Sequence, residues 1–444
     1  MGGYPAAIRA SQLGLKVALV ESDKLGGTCL HIGCIPTKVL LESSELYHRV
    51  SARGPEFGVN ADKVKFDYAR IAARRAEVVN QLYKGVQYLM KKNKIEIVEG
   101  SGRLRDRGSI EVGAKQIKAN NLIVATGSTV RTLPGLEFDG KFIISSDHAT
   151  LADTIPESIC IIGAGAVGVE FATLYNQLGV KVTLLEALDR LVPLEDEDIS
   201  KEMLSAFKKA GIDCRLGVKV KGAKKSRDGV SVDTEQGEVW ARQLLVAVGR
   251  APRSKDIGLE QLGVTTHPNG FIKVDEWMRT SAESVHAIGD VVGGYLLAHA
   301  ASHEGMTAVE DIAGQRVAPM EQELVTRCTY SHPQIASVGL TEKQAKEKGH
   351  EVRIGKFPFT ALGRAIIHGE TGGFVKIVAD AKTGQMMGAH IVGPEATELI
   401  HEFAVGRTLE ATLDEFVHTM HAHPTLSEAA FEAVLAALGH PIHI

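Results

Sequence analysis

An internal repeat constrains the fold of this chain more than any other feature of its sequence. Residues 3–21 (GYPAAIRASQLGLKVALVE) recur as residues 168–186 (GVEFATLYNQLGVKVTLLE), at a constant offset of 165 positions. An apolar stretch and a turn with Gly163 and Gly165 precede the second copy, which starts at Gly168. The order strand, G-x-G-x-x-G, helix, strand is typical of dinucleotide-binding units, whose glycines let backbone N–H groups approach a pyrophosphate. The sequence therefore predicts two such units.

Both copies end in an acid, Glu21 and Glu186, placed to accept hydrogen bonds from an adenosine ribose. The same offset puts the first two glycines of the motif in the first copy at −2 and 0. Only the third glycine of the motif, Gly3, is therefore present in this copy. A parallel sheet does not readily lose a central strand. We therefore expect that the natural chain starts further upstream or that this one is truncated. An N-terminal extension with an apolar strand and G-x-G would then restore tight cofactor binding.

Further apolar stretches occupy matching places in the two units. Residues 122–128 and 244–250 each end in a small-residue turn, which suggests closure over a bound nucleotide, although each also suits an ordinary buried strand. Residues 285–290 form a third stretch that ends in Asp290. An aspartate there either caps the following helix or binds a polyol hydroxyl, and the sequence leaves both open. The apolar stripe of residues 66–94 is interpreted as core packing.

Two cysteines, Cys29 and Cys34, lie five positions apart just before a long helical stretch. Residues five apart in a regular helix are separated by about 7.5 Å along its axis, whereas a disulfide needs Cα atoms closer than about 7 Å. A bridge therefore requires the irregular turn that Gly33 allows. Pro36 suits the first helical turn, which leaves Cys34 beside a helix N-terminus, where the thiol pKa is lowered. This pattern favours a redox-active disulfide, and two unpaired buried thiols are the alternative.

The C-terminal segment HAHPTLSE places His423 five residues before Glu428. A carboxylate that orients an imidazole is the arrangement that a general base needs. His421 suits the role equally on spacing alone, and a His–Glu pair is also often purely structural. The segment is therefore a candidate general-base site with two possible imidazoles.

Composition narrows the classes of function. A net charge of −4 over 444 residues, with acids and bases interspersed, predicts neither a nucleic-acid partner nor binding to an anionic membrane. Five cysteines do not suit a secreted disulfide scaffold, and Cys160, Cys214 and Cys328 are expected to be inert core thiols. No signal peptide or membrane-length apolar stretch is apparent. We expect a soluble, cytoplasmic protein of about three or four domains.

Two motifs, GGTCLHIGCIPTK at residues 26–38 and HAHPTLSE at residues 421–428, resemble as a pair those of the class I pyridine nucleotide–disulfide oxidoreductases. The resemblance covers essentially the whole chain. It implies an α/β fold with two nested Rossmann-like dinucleotide-binding domains, for FAD and NAD, and an α+β C-terminal dimerisation domain. The implied limits are 1–146 for the FAD-binding domain, 147–268 for the NAD-binding domain, 269–322 for a central segment that completes the FAD domain, and 323–444 for the interface domain.

The resemblance also implies roles for individual residues. Cys29 and Cys34 form the redox-active disulfide, and His423 with Glu428 reaches the disulfide of the partner subunit. FAD is implied to contact Gly3, Glu21, Lys38, Gly102, Glu170, Asp290 and Ala298, with Lys38 beside the flavin N5 and paired with Glu170. NAD is implied to contact Gly163, Gly165, Gly168, Glu186, Val220 and Gly249. No metal ligand is implied.

The activity that the resemblance implies is oxidation of protein-bound dihydrolipoamide by NAD+, in a homodimer whose active sites are shared between subunits. The implied partner is the lipoyl domain of a 2-oxo-acid dehydrogenase or glycine cleavage complex. Glu186 favours NAD over NADP, because an NADP site needs a cation there for the 2′-phosphate. The alternatives are a related NAD(P)H-dependent disulfide or mercuric reductase, and a catalytically impaired structural subunit of a 2-oxo-acid dehydrogenase complex.

Overall fold

The second copy of the repeat lies in a five-stranded parallel sheet in the computed structural model, which describes residues 1–444. The spatial order of the strands is Asp213–Arg215, Lys181–Leu185, Ser158–Ile162, Gln243–Val246 and Ile143–Ile144. The central strand is almost fully buried, as expected where helices or sheets cover both faces. The second unit also contains the helices Ala166–Gln177 and Glu197–Lys209 and an antiparallel sheet of Val220–Lys225, Val230–Thr234 and Gly237–Ala241.

The first copy lies in a unit with two separate two-stranded parallel sheets. Ala18–Glu21 pairs with Glu96–Glu99, and Leu122–Val124 pairs with Val285–Ala287. The central strand of the second unit, Ser158–Ile162, has no counterpart between these two pairs. The other elements of the first unit are the antiparallel strands Gly102–Asp106, Ser109–Val112 and Lys115–Lys118 and the helices Gly3–Gln12, Gly27–His31, Cys34–His48, Tyr68–Lys92 and Ala298–Ile312.

The C-terminal unit is an antiparallel five-stranded sheet with helices packed on it. The spatial order of its strands is Arg327–Thr329, Gln334–Gly339, Met386–Gly393, Phe374–Asp380 and Val352–Pro358. Its helices are Glu342–Glu347, Gly363–His368, Ala396–Thr408, Leu413–His418 and Glu428–Leu438. The first two units are linked by the paired strands Ser128–Val130 and Arg250–Pro252, with the helix Ser146–Leu151 between them in sequence. The predicted fold class is confirmed.

The long helix Tyr68–Lys92 buries only part of its apolar stripe. Leu82 and Leu89 belong to the stripe but are 42% and 37% exposed. Val86, which also belongs to the stripe, is buried together with Met90, so the interpretation as core packing holds for part of the stripe and is wrong for Leu82 and Leu89. The buried face is set by packing against the preceding long helix, which periodicity alone does not encode. No helix of the fold, this longest one included, is both long and apolar enough to span a lipid bilayer.

A buried lysine joins the second unit to the C-terminal unit. Lys376 Nζ lies 2.9 Å from Asp196, 3.0 Å from Asp198 and 2.8 Å from Glu342, and its side chain is 3% exposed. Burial acts to raise the pKa of Asp196, but His390 and Lys376 outweigh it and hold this pKa below its usual value. Asp196 therefore remains charged, and its charge is compensated across the boundary between the two units.

We expect Lys376→Met to lower the free energy of unfolding by about 3 kcal/mol, because it leaves buried carboxylate charge without a cation. Lys346→Met is the matched control, since this exposed lysine pairs only with Glu342 and exposed pairs contribute about 0–1 kcal/mol. Thermal unfolding by calorimetry compares both variants with the wild-type chain. A melting temperature of Lys376→Met equal to that of Lys346→Met would contradict the role of the cluster.

Candidate active site

The predicted disulfide is present. Cys29 and Cys34 are bonded, with Cα atoms 4.6 Å apart. Cys29 lies in the short helix Gly27–His31, and Cys34 is the first residue of the long helix that follows. A Cβ atom on Gly33 would lie 3.0 Å from the carbonyl oxygen of Thr28 and 3.1 Å from the Cα atom of Cys29, so a side chain would crowd the turn between the two helices. The alternative of two unpaired buried thiols is therefore wrong.

The three other cysteines are free and have little thiolate character. Burial raises the pKa of Cys160 to about 12 and the pKa values of Cys214 and Cys328 to about 11. A thiol with so high a pKa is almost entirely protonated near neutral pH and is a poor nucleophile. Cys160 is buried as expected, whereas Cys214 and Cys328 are only half-buried.

One turn into the helix that Cys34 begins, Lys38 meets a carboxylate from the second unit. Lys38 Nζ donates to both carboxylate oxygens of Glu170, each at 2.9 Å. Glu170 lies on the helix Ala166–Gln177 and is 5% exposed, so the ammonium group supplies the counter-charge that burial demands. Residues four apart lie on one face of a helix. Cys34 and Lys38 therefore present the disulfide and the ion pair on the same side of this helix.

The glycine turn of the second unit is tight at two of its three glycines. Gly163 has a φ of +99°, and a Cβ atom there would lie 2.5 Å from the carbonyl oxygen of Ala247. A Cβ atom on Gly168 would overlap the carbonyl oxygen of Gly163, whereas Gly165 has open space around it. Gly165 is the N-cap of the helix Ala166–Gln177, whose first N–H groups have no partner within the helix. Such a turn fits a pyrophosphate.

Glu21 ends its strand and Glu186 directly follows the equivalent strand, and the two carboxylates share one local geometry. Glu186 accepts the N–H of Leu188 at 2.9 Å, and Glu21 accepts the N–H of Asp23 at 3.0 Å. Glu186 also accepts the N–H of Ala164 at 2.6 Å, which ties its carboxylate to the glycine turn. The repeat seen in the sequence is therefore also a repeat of structure, and each copy places an acid where dinucleotide sites bind an adenosine ribose.

The other predicted cofactor contacts lie at or next to the ends of secondary-structure elements. Gly3 and Ala298 begin helices, Val220 begins a strand, Gly249 directly precedes the strand Arg250–Pro252, and Gly102 begins a strand beside Val20. A Cβ atom on Gly102 would lie 3.2 Å from the Val20 side chain, one residue before Glu21. Gly102 is thus close to the acid that ends the first copy of the repeat.

Asp290 lies in the short turn Gly289–Val291. It does not cap the next helix, which begins at Ala298 with Leu297 as its N-cap, so the capping interpretation is wrong. Asp290 instead accepts a hydrogen bond from the Ser128 hydroxyl. Arg250 Nε donates to Ser128 Oγ at 2.6 Å and lies 3.8 Å from Asp290. Neither motif indicated Ser128 or Arg250, although each ends one of the two matched apolar stretches.

The structure distinguishes the two candidate histidines. Nδ1 of His423 lies 2.8 Å from Glu428, with the imidazole 78% exposed, whereas the His421 side chain is 7% exposed and lies 2.6 Å from Glu402. Burial acts to raise the pKa of Glu428, but the N–H of Thr425 and His423 outweigh it and keep this pKa below its usual value. Glu428 therefore stays ionised and holds a proton on Nδ1 of His423, which leaves Nε2 free to accept one.

Comparisons with known proteins agree with this arrangement. A family described as pyridine nucleotide-disulphide oxidoreductase matches residues 1–305, and its dimerisation domain matches residues 325–434. The chain is 47% identical to dihydrolipoyl dehydrogenase of Bacillus subtilis, over 100% of this chain and 97% of that protein. It is 40% identical to mitochondrial dihydrolipoyl dehydrogenase of Pisum sativum, over 100% of this chain and 91% of that protein.

Two solved structures have a similar fold, and one of them is described as a flavoprotein. LpdA from Mycobacterium tuberculosis superimposes with a TM-score of 0.92 at 27% identity, covering 98% of this chain and 96% of that one. The HOCl-induced flavoprotein disulfide reductase RclA from Escherichia coli superimposes with a TM-score of 0.86 at 26% identity, covering 98% of this chain and 97% of that one.

Two alanine substitutions in the glycine turn should separate folding from cofactor binding. The added methyl group of Gly168→Ala would overlap the carbonyl oxygen of Gly163, so we expect a lower melting temperature and loss of NAD binding. Gly165→Ala has room within the chain, so its melting temperature should stay within about 2 °C of wild type. Its dissociation constant for NAD should nevertheless rise about tenfold or more, because the methyl group obstructs the pyrophosphate. Calorimetry measures the melting temperature of each variant, and NADH fluorescence titration measures its affinity for the nucleotide. Unchanged NAD binding by Gly165→Ala would contradict the predicted NAD site.

Proposed function

This chain belongs to the pyridine nucleotide–disulphide oxidoreductase family, and from that premise we propose that it oxidises protein-bound dihydrolipoamide with NAD+ as acceptor. It is an oxidoreductase of a family that uses FAD and NAD, and relatives 40–47% identical to it are named dihydrolipoyl dehydrogenases. The single observation that carries the proposal is the Cys29–Cys34 disulfide at the start of a helix whose next turn holds Lys38.

The chemistry at this bridge is thiol–disulfide exchange. His423 Nε2 takes the proton of one substrate thiol, while Glu428 stabilises the imidazolium through Nδ1. The resulting thiolate attacks Sγ of Cys29, the Cys29–Cys34 bond breaks, and Cys34 leaves as a thiolate. The second substrate thiol then attacks the mixed disulfide and its proton passes to Cys29. The substrate dithiol leaves as a cyclic disulfide, and two electrons remain on the protein.

The position of Cys34 makes it the better leaving group. It is the first residue of a 15-residue helix with no acidic residue in its first turn, so the helix dipole stabilises its thiolate without an opposing charge. A thiol of lower pKa leaves faster in disulfide exchange. The substrate thiolate is therefore directed to Cys29, and the negative charge collects on Cys34.

Bound FAD supplies the transfer of this electron pair to NAD+. The residues proposed to hold FAD are Gly3, Glu21, Lys38, Gly102, Glu170, Asp290 and Ala298, and those proposed to hold NAD are Gly163, Gly165, Gly168, Glu186, Val220 and Gly249. The donor set fits these groups: the glycine turn suits a pyrophosphate, the paired acids suit ribose hydroxyls, and Asp290 with Ser128 suits a polyol. Glu186 stands where an NADP site needs a cation, which favours NAD.

We also propose a homodimer in which His423 and Glu428 serve the disulfide of the partner subunit. The match of residues 325–434 to a dimerisation domain supports this assembly, as does the 78% exposure of the His423 side chain. The proposed domains are an FAD-binding domain of residues 1–146 completed by 269–322, an NAD-binding domain of 147–268 and an interface domain of 323–444.

The proposed protein substrate is the lipoyl domain of a 2-oxo-acid dehydrogenase or glycine cleavage complex. A dihydrolipoyl group on such a domain is a long, flexible dithiol that suits an exposed imidazole as its base. The proposed compartment is the cytoplasm. Three free cysteines, Cys160, Cys214 and Cys328, suit a reducing compartment.

His423→Gln tests the proposed chemistry. We expect kcat/KM for dihydrolipoamide to fall about a thousandfold, since glutamine cannot accept the thiol proton. Electron transfer from NADH to an artificial dye needs no thiol deprotonation, so its rate should stay within about twofold of wild type. Steady-state assays of both reactions on the FAD-loaded protein provide the measurement.

His421→Gln is the control, because His421 is buried against Glu402 and should affect stability without a selective loss of thiol oxidation. An equal loss of both reactions in His423→Gln would contradict its role as the base. A wild-type protein that binds FAD but leaves dihydrolipoamide unoxidised would identify a structural subunit instead of an enzyme.

A further inference from the structure

The Lys38–Glu170 pair has a third member that comes from the C-terminal unit. Tyr330 follows the strand Arg327–Thr329, and its backbone N–H donates to Glu170 Oε1 at 2.9 Å. Its ring lies under the Lys38 ammonium group, with Nζ 4.6 Å from the ring centroid. Lys38 thus contacts both a carboxylate of the second unit and an aromatic face of the C-terminal unit.

We propose that Tyr330 is a positioning residue that fixes the Lys38 ammonium group through its aromatic face, and thereby sets the environment of the isoalloxazine ring. This inference rests on the proposed function, in which Lys38 lies beside the flavin. It adds to that function a residue that neither sequence motif contains.

Two contacts restrict a side chain that is otherwise mobile. A lysine side chain has about four rotatable bonds, and it gives up rotational freedom about them only when specific partners hold it. The Lys38 side chain is 32% exposed, whereas the Glu170 side chain is 7% exposed, so the ammonium group has more open space around it than the carboxylate. A cation over an aromatic face within about 6 Å is attracted by the ring quadrupole, and this contact removes the remaining freedom of Lys38.

The geometry also allows the ring to be tested by itself. The hydrogen bond from Tyr330 to Glu170 comes from the backbone N–H, so it survives substitution of the side chain. Burial raises the pKa of the Tyr330 hydroxyl, which keeps the ring neutral at working pH. Tyr330→Leu therefore removes the aromatic face while Glu170 keeps both of its partners.

The experiment compares Tyr330→Leu with Tyr330→Phe in the FAD-loaded protein. We expect Tyr330→Leu to shift the visible absorption band and the midpoint potential of the bound flavin, and to lower kcat about threefold to tenfold with KM within about twofold. Tyr330→Phe keeps the aromatic face and should restore both flavin properties to wild-type values. Flavin spectra and potentials that are unchanged in Tyr330→Leu would overturn the proposal.

Two further variants test whether the ring acts through Lys38. Trp240→Leu removes an aromatic face over Arg242 in the antiparallel sheet of the second unit, and it should leave flavin properties unchanged. In a Lys38→Met background, Tyr330→Leu should cause no further shift of the flavin potential, because residues that act as a unit are not additive. An additive shift in the double variant would contradict a role through Lys38.

Failure of this proposal can be told from failure of the proposed function. A wild-type holoprotein without dihydrolipoamide oxidation refutes the function, whatever the spectra of the variants. A wild-type holoprotein that is active, together with Tyr330→Leu spectra and kcat identical to wild type, refutes only the role of Tyr330. A lower melting temperature of Tyr330→Leu with unchanged flavin properties assigns the ring to stability alone, which also overturns the proposal.

Discussion

The buried carboxylate of Glu170 is the interaction on which the geometry of this protein depends. It accepts hydrogen bonds from Lys38 of the first unit and from the N–H of Tyr330 of the C-terminal unit, while it belongs to a helix of the second unit. A buried carboxylate is costly unless both of its oxygens are paired. All three units must therefore be in place at once, and the helix that carries Cys34 cannot rotate without breaking the pair. Assembly of the domains and construction of the active site are one physical requirement.

The parts of the fold and site that one stretch of chain forms could be predicted from the sequence. Cys29, Gly33 and Cys34 determine the disulfide turn locally, because a Cβ atom at position 33 would crowd the carbonyl oxygen of Thr28. The strand–glycine–helix–strand order likewise fixed the topology around Gly163 and Gly168, since both positions have no space for a Cβ atom. Local sterics leave a clear pattern in the sequence, and that pattern was enough to identify the second unit.

The parts that several distant stretches form had no such pattern. Lys376 meets carboxylates about 180 residues earlier in the chain, and nothing around it distinguishes a buried lysine from an exposed one. The choice between His421 and His423 depends on burial, which spacing does not encode, because each has its own glutamate partner. The stripe of the long helix was wrong at Leu82 and Leu89 for the same reason, because the residues that become covered depend on the neighbouring elements and periodicity does not specify them.

The five-stranded sheet of the second unit has a consequence for how the protein opens. Its central strand Ser158–Ile162 is almost fully buried and pairs with a strand on each side, whereas Asp213–Arg215 and Ile143–Ile144 are edge strands with one neighbour each. Amide protons of the two edge strands should therefore exchange with solvent at a lower opening free energy than those of Ser158–Ile162. Transient unfolding of this unit, and with it the first cut by a protease, begins at the edges of the sheet and reaches the strand before the glycine turn last.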